Sequence, residues 1–282
     1  MAEPVFNILA SFAEGVKSVE FCLRPGWRVL LDSGAFANFS RGREVVTLDQ
    51  YVGYLREREG AFWRYFALDK IADHETSTRN LGKMLAAGLR PVPVFQRGGK
   101  LADLHQLRQL SDLVAVGGIA GRLRSTADRD YLRQVIRGAG GHKLHLLGCS
   151  IEKVLRAYRP YSSDSSSHAV RHGRVRLWLD RRFYEFMRKQ GTVLLNGKPA
   201  AKQAGLFARL CSTYSIDPDR AHQQSFYGSD ESKVAALRSY IRYQTELRRI
   251  GVEYFIACVD HDMRLAAVAW EIEKNADMRA TA

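Results

Sequence analysis

No stretch of this 282-residue chain is apolar for long enough to cross a membrane, so no membrane association is expected. Paired cysteines are missing as well. Cys22, Cys149, Cys211 and Cys258 are scattered without a CxxC spacing, which argues against a disulfide framework and suits a reducing cytoplasm. The opening MAEPVFNILASF carries an acid where a secretion signal carries positive charge, so a cytoplasmic protein is expected. The spacings Cys258/His261 and His168/His172 would suit a metal, but neither has a clear second half. We therefore expect no metal and no cofactor. No low-complexity linker interrupts the chain, and residues 1–282 read as a single domain.

Acidic residues are the scarcer charge. Lys and Arg number 43 against 30 Asp and Glu, a net charge of +13 with a sequence pI of about 9.8. With 46% hydrophobic and 26% charged residues the chain reads as soluble and globular, and the basic excess points to a polyanionic partner. Charge concentrates in HAVRHGRVRLWLDRRFYEFMRK, residues 168–189, which holds seven Lys/Arg against two acids. Trp178, Phe183, Tyr184 and Phe186 are interleaved with the basic residues. Basic groups meet phosphates and aromatic faces stack on unpaired bases, so Arg171, Arg174, Arg176, Arg181 and Arg182 are candidate nucleic-acid contacts. The competing reading is an amphipathic helix with a solvated basic face.

A repeated unit organises the rest: a short apolar run, a loop, then a helical pattern. The runs are FNILASF, WRVLLDSGAF, RYFALDKI, RPVPVFQRG, LVAVGGIAG and KLHLLGCS. Helix signals lie between them, including the capping-box spacing of Thr47 and Gln50 and a stop near Gly88. Such alternation implies a parallel sheet covered on its faces. With a seventh short strand near Tyr161 and EYFIACVD as candidate eighth, the pattern suits an α/β fold of the (β/α)8 TIM-barrel type. A basic helical insertion is expected over about 165–230.

In such a barrel the functional groups collect at the C-terminal strand ends. Those ends bring Asp32, Asp69, Gln96, Gly117, Gly118 and Asp164 to one rim. Three carboxylates, an amide and exposed backbone donors suit a neutral planar base better than a phosphate. Asp164 sits in YSSDSSSHAV. On its own this stretch reads as a capped turn, and only the constellation argues for chemistry.

The strand ends DSGAF, VGGIAG and SSDSSS resemble those of the tRNA-guanine transglycosylase superfamily. They are most similar to its phage and bacterial branch, the 7-deazaguanine DNA transglycosylases. The resemblance covers about residues 6–167. It implies an enzyme that replaces guanine in DNA with a 7-deazaguanine, in the 7-cyano or 7-aminomethyl form, through a covalent aspartyl-glycosyl intermediate. Asp164 would be the nucleophile and Asp32 the general acid and base. Asp69 would bind the base's ring N–H and amino group, while Gln96 and the N–H of Gly118, next to Gly117, would address its carbonyl edge. Phe36 and Leu147 would sandwich the ring, and Ser33 would lie beside Asp32. The partners implied are DNA and the free base, in a host cytoplasm if the gene is a phage's; a homodimer is admitted.

The chain departs from the tRNA enzymes in lacking their CxCxxC…H zinc site and in having Ala35 at the second glycine of DSGGF. The missing zinc site favours DNA over tRNA, and duplex DNA would require flipping the target nucleotide. The helix over 230–250, with Arg242, Arg248 and Arg249, is a further candidate surface. Three alternatives stay open: a zinc-less tRNA enzyme, a non-catalytic nucleic-acid-binding subunit, and a glycosidase acting on sugars.

Overall fold

The computed structural model describes residues 5–58, 60–120, 123, 125–169 and 173–281. Eight parallel strands form one sheet: β1 (Phe6–Ser11), β2 (Trp27–Asp32), β3 (Arg64–Tyr65), β4 (Val94–Phe95), β5 (Leu113–Val116), β6 (Lys143–Leu146), β7 (Ser162–Ser165) and, after an insertion that carries β8 to β11, β12 (Glu253–Cys258). Their order is β3-β2-β1-β12-β7-β6-β5-β4. Every apolar run of the sequence thus supplies one strand, and EYFIACVD is the strand that joins β7 to β1.

The sheet is curled. Trp63, beside the edge strand β3, stacks on Phe255 of β12 at 4.8 Å and on Tyr161 before β7 at 6.0 Å. On a flat sheet those strands would stand apart. Leu9, Leu30, Phe66, Leu113, Ala115 and Phe255 meet inside the curl as one cluster, each large side chain contributing about 1.5–3 kcal/mol by leaving water. Beyond the two edge strands Phe66 pairs with Val92 in a parallel bridge. There Val92 donates to Tyr65 O at 2.8 Å and Ala67 to Val92 O at 2.9 Å.

Helices cover the outside and begin where the sequence signals them. Thr47 and Gln50 close a reciprocal capping box on the helix Leu48–Glu57. The helix His74–Ala86 is capped by Asp73 and stops before Gly88, whose φ is +83°. The helix Asp230–Arg248 buries Leu237, Tyr240, Tyr243 and Leu247. Most of it is a core element, and the basic residues proposed as a surface lie toward its C-terminal end. Arg242 pairs with Glu273 at 2.5 Å, Arg248 with Glu253 at 3.4 Å, and Arg249 with Glu246 on its own helix.

The insertion corrects an expectation. Its basic part is not helical. β8 (Arg174–Leu179), β9 (Arg182–Lys189), β10 (Thr192–Leu195) and β11 (Lys198–Pro199) make an antiparallel sheet, and helical structure appears only afterwards, from Ala200. The reason is a period of two. Val175, Leu177, Tyr184 and Phe186 are all at or below 2% exposure on one face, packed against Leu210 and Tyr214 of the helix Ala204–Tyr214. Two-residue turns at Gln190–Gly191 and Asn196–Gly197 adopt the left-handed φ values that tight hairpins need.

Candidate active site

Asp32 is the last residue of β2, and the Asp-Ser-Gly that follows is built around its carboxylate. Gly34 turns back with φ +90° and donates its N–H to Asp32 Oδ2 at 3.0 Å, while Ser11 Oγ at the end of β1 donates to the same oxygen at 2.9 Å. A Cβ on Gly34 would stand 2.9 Å from Ala13 Cβ and Val46 Cγ2, so no larger residue makes this turn.

Asp164 is held by the same device on β7. Gly148, at φ +65°, donates its N–H to Asp164 Oδ1 at 3.0 Å, and a Cβ there would lie 2.6 Å from Ala120 Cβ. A second donor reaches Oδ1 from the fully buried ring of His145, whose Nε2 stands 3.0 Å away. The other ring nitrogen, Nδ1, is 2.9 Å from Ser162 Oγ. Nε2 is the nitrogen that donates to the carboxylate, and Nδ1 meets the Ser162 hydroxyl.

The serines around Asp164 do not touch it. Ser163 Oγ donates to the carbonyls of Leu146 and Cys149 at 2.8 and 2.7 Å. Ser165, Ser167 and Ser150 form a hydroxyl chain at 2.6 and 2.7 Å. They pin the strand and its following loop to β6 and its loop.

Asp69 follows β3. Gln96 Nε2 donates to Asp69 Oδ2 at 2.8 Å, to Lys70 O at 2.9 Å and to Ser77 Oγ at 3.2 Å, while its Oε1 accepts from Ala72 N at 3.1 Å. Both ends of the Gln96 amide are therefore engaged within the protein. Gln96 thereby fixes the plane of the Asp69 carboxylate. A cleft of about 460 Å³ opens beside Asp69, walled by Phe39, Arg43, Lys70, Thr76 and Asn80.

The three carboxylates influence one another. Burial raises Asp32 above the usual carboxylate range against the pull of Ser11 and Gly34, and the charge of Asp164 adds to the rise. Burial likewise lifts Asp69 to about 6, opposed by Gln96 and reinforced by Asp32. Each has one oxygen tied down, Oδ2 in Asp32 and Asp69 and Oδ1 in Asp164. Its other oxygen makes no hydrogen bond to a described side chain.

The remaining residues of the expected site fall around this set. Ser33 is buried at 1% exposure, and its hydroxyl makes no hydrogen bond to a described residue. Gly117 donates to Phe95 O at 2.9 Å within the sheet, whereas the next amide, of Gly118, makes no hydrogen bond to a described residue. Leu147 is half-buried at the end of β6. Phe36 stands 69% exposed on the helix Ala35–Arg41, and Phe39, one turn on, is 59% exposed.

Comparison with protein-family models, with curated proteins and with solved structures gave no match. The functional reading therefore rests on the residues themselves.

Two contributors were missed from sequence, His145 and Gly148. The available signal was a histidine inside the otherwise apolar run KLHLLGCS. Ser162, His145 and Asp164 form a Ser–His–Asp chain, but Ser162 is fully buried and reaches no substrate.

On the insertion, Arg174 is exposed and pairs with Glu185 at 3.3 Å, and Arg176 lies 4.5 Å over the Phe183 ring. Arg181 and Arg182 are exposed at a two-residue turn, and Arg182 caps the Tyr184 ring at 4.7 Å. Arg171 and His172 lie outside the described residues. The interleaved aromatics are not available to stack on bases. Trp178, Tyr184 and Phe186 are buried, and Phe183 packs on Tyr240 and Tyr243.

Among the described residues no group of three or more His, Cys, Asp and Glu has metal-binding geometry. His168 Nε2 lies 3.9 Å from Cys258 Sγ and 3.7 Å from Asp262 Oδ2. His261 pairs instead with Asp230. Asp262 also meets the Lys233 ammonium at 3.5 Å, which fills that corner with a cation of the protein's own. No helix of the described residues is long and apolar enough to cross a membrane.

Proposed function

We propose that this chain is a base-exchange glycosyltransferase that removes guanine from DNA and inserts a 7-deazaguanine through a glycosyl ester on Asp164. One observation carries the reading. Asp32 ends β2 and Asp164 lies one residue before the end of β7 in one curled parallel sheet, each anchored through a single oxygen by a left-handed glycine amide. A double displacement at a glycosidic bond needs two such carboxylates. Asp164 Oδ2 attacks the anomeric carbon as the bond to N9 of guanine breaks, and the electron pair goes to N9. Asp32, raised by burial, keeps a proton to deliver there and takes one back from the incoming base. Asp69, ionised above about 6, accepts from the ring N–H and amino group, with Gln96 fixing its plane. The curled sheet is read as a closed (β/α)8 barrel, for which the Phe66–Val92 bridge between its edges is the support.

The basic excess and the exposed Arg174, Arg181 and Arg182 favour a nucleic-acid substrate over a free sugar. The test is incorporation of labelled guanine into duplex DNA, with tRNA run in parallel. Wild-type protein is expected to label DNA, and Asp164→Asn to label neither. No incorporation into either nucleic acid by the wild type overturns the reading, and labelling of tRNA alone reassigns the substrate.

A further inference from the structure

Asp164 Oδ1 receives two donors, the Gly148 amide and His145 Nε2, both at 3.0 Å. The histidine has no exposed surface, its ring packs 5.0 Å from Phe66 inside the curl, and Ser162 holds its far nitrogen. A group placed this deep cannot touch a sugar or a base. It acts only through Asp164.

Resting on the base-exchange reading, we propose that His145 is a positioning residue that sets how long the sugar stays on the enzyme, by stabilising Asp164 as the departing carboxylate. When Asp164 Oδ2 bonds to the anomeric carbon, the carboxylate becomes a neutral ester. Oδ1 is then a carbonyl oxygen with its charge gone. When the incoming base displaces the ester, the C–O pair returns to Asp164 and full negative charge reappears across its oxygens. Hydrogen bonds to a charged acceptor are stronger than those to a neutral one. The two fixed donors therefore favour free carboxylate over ester and keep the covalent complex from becoming a trap. Ser162 contributes by keeping the ring proton on Nε2.

The consequence separates this role from plain structural support. Damage to the fold lowers the amount of adduct. Loss of the His145 donor raises it, because the carboxylate loses more than the ester does.

The experiment measures the fraction of folded enzyme linked covalently to duplex DNA at a fixed concentration of free guanine. His145→Phe keeps a ring against Phe66 and removes the donor. Its adduct-to-free ratio is expected to rise about tenfold, with overall exchange slowed. His145→Gln restores an N–H and is expected to return the ratio toward wild type. An unchanged or lower ratio in folded His145→Phe overturns the proposal, as does a raised ratio that Gln fails to reduce. Should His145→Phe not fold, Ser162→Ala decides. A smaller rise supports the proposal, and a wild-type ratio overturns it. Absence of any wild-type adduct or exchange is a different failure, that of the base-exchange reading itself.

Discussion

Asp69→Asn isolates one buried charge and lets the structure set a number. Burial raises the Asp69 carboxyl from 3.8 to about 6. A group whose folded value is raised binds its proton more tightly in the native state, so its contribution to stability is present below about 3.8 and is lost as pH rises through about 6. At about 1.36 kcal/mol per unit the loss approaches 3 kcal/mol, and partial enclosure of the residue reduces it to about 2–3 kcal/mol. Asparagine keeps an oxygen for Gln96 and cannot ionise. Urea unfolding of both proteins between pH 4 and 8 reads the difference, with the coupled titration of Asp32 included in it. The mutant is expected to gain about 2–3 kcal/mol on the wild type between the two extremes. At about 2 °C per kcal/mol, melting would shift by about 5 °C at pH 8. A difference that stays flat with pH, or that favours the wild type as pH rises, would refute the claim that burial penalises this charge.

The same residue sets the pH dependence of base binding. Guanine affinity is expected to strengthen as pH rises through about 6, where Asp69 becomes an acceptor, and calorimetry with free guanine would check it. Gly148→Ala forces a Cβ to 2.6 Å from Ala120 Cβ at a left-handed φ. It should cost about 1–3 kcal/mol, measured by denaturation, and should lower exchange by displacing an Asp164 donor. Glu273→Gln leaves Arg238, 7% exposed, without its carboxylate and should cost about 3–5 kcal/mol; a wild-type melting curve would contradict that. Reversing Arg181 and Arg182 to Glu should reduce the salt dependence of DNA binding by about 0.9 in log–log slope for each phosphate that is no longer neutralised. Affinity for free guanine should not move, and an equal loss of both would place the turn in the fold's support.

The amino-acid sequence by itself determined the order of the eight parallel strands and of the helices between the first seven. Seven apolar runs, Thr47 with Gln50, and the stop at Gly88 are local signals, and each acts through residues a few positions apart. It also determined that Asp32, Asp69 and Asp164 share a rim, because strand ends of a parallel sheet all face one way. Residues 174–189 were legible too, had the alternation of Val175 and Leu177 with Arg174 and Arg176 been weighed above their charge. Only the tertiary structure decided what holds the carboxylates. His145 reaches Asp164 across 19 positions and Gln96 reaches Asp69 across 27. Neither spacing leaves a periodic trace. Parallel pairing of β6 with β7 sets the first, and the curl that brings the edges β3 and β4 together sets the second, through packing among strands that lie at opposite ends of the sheet order.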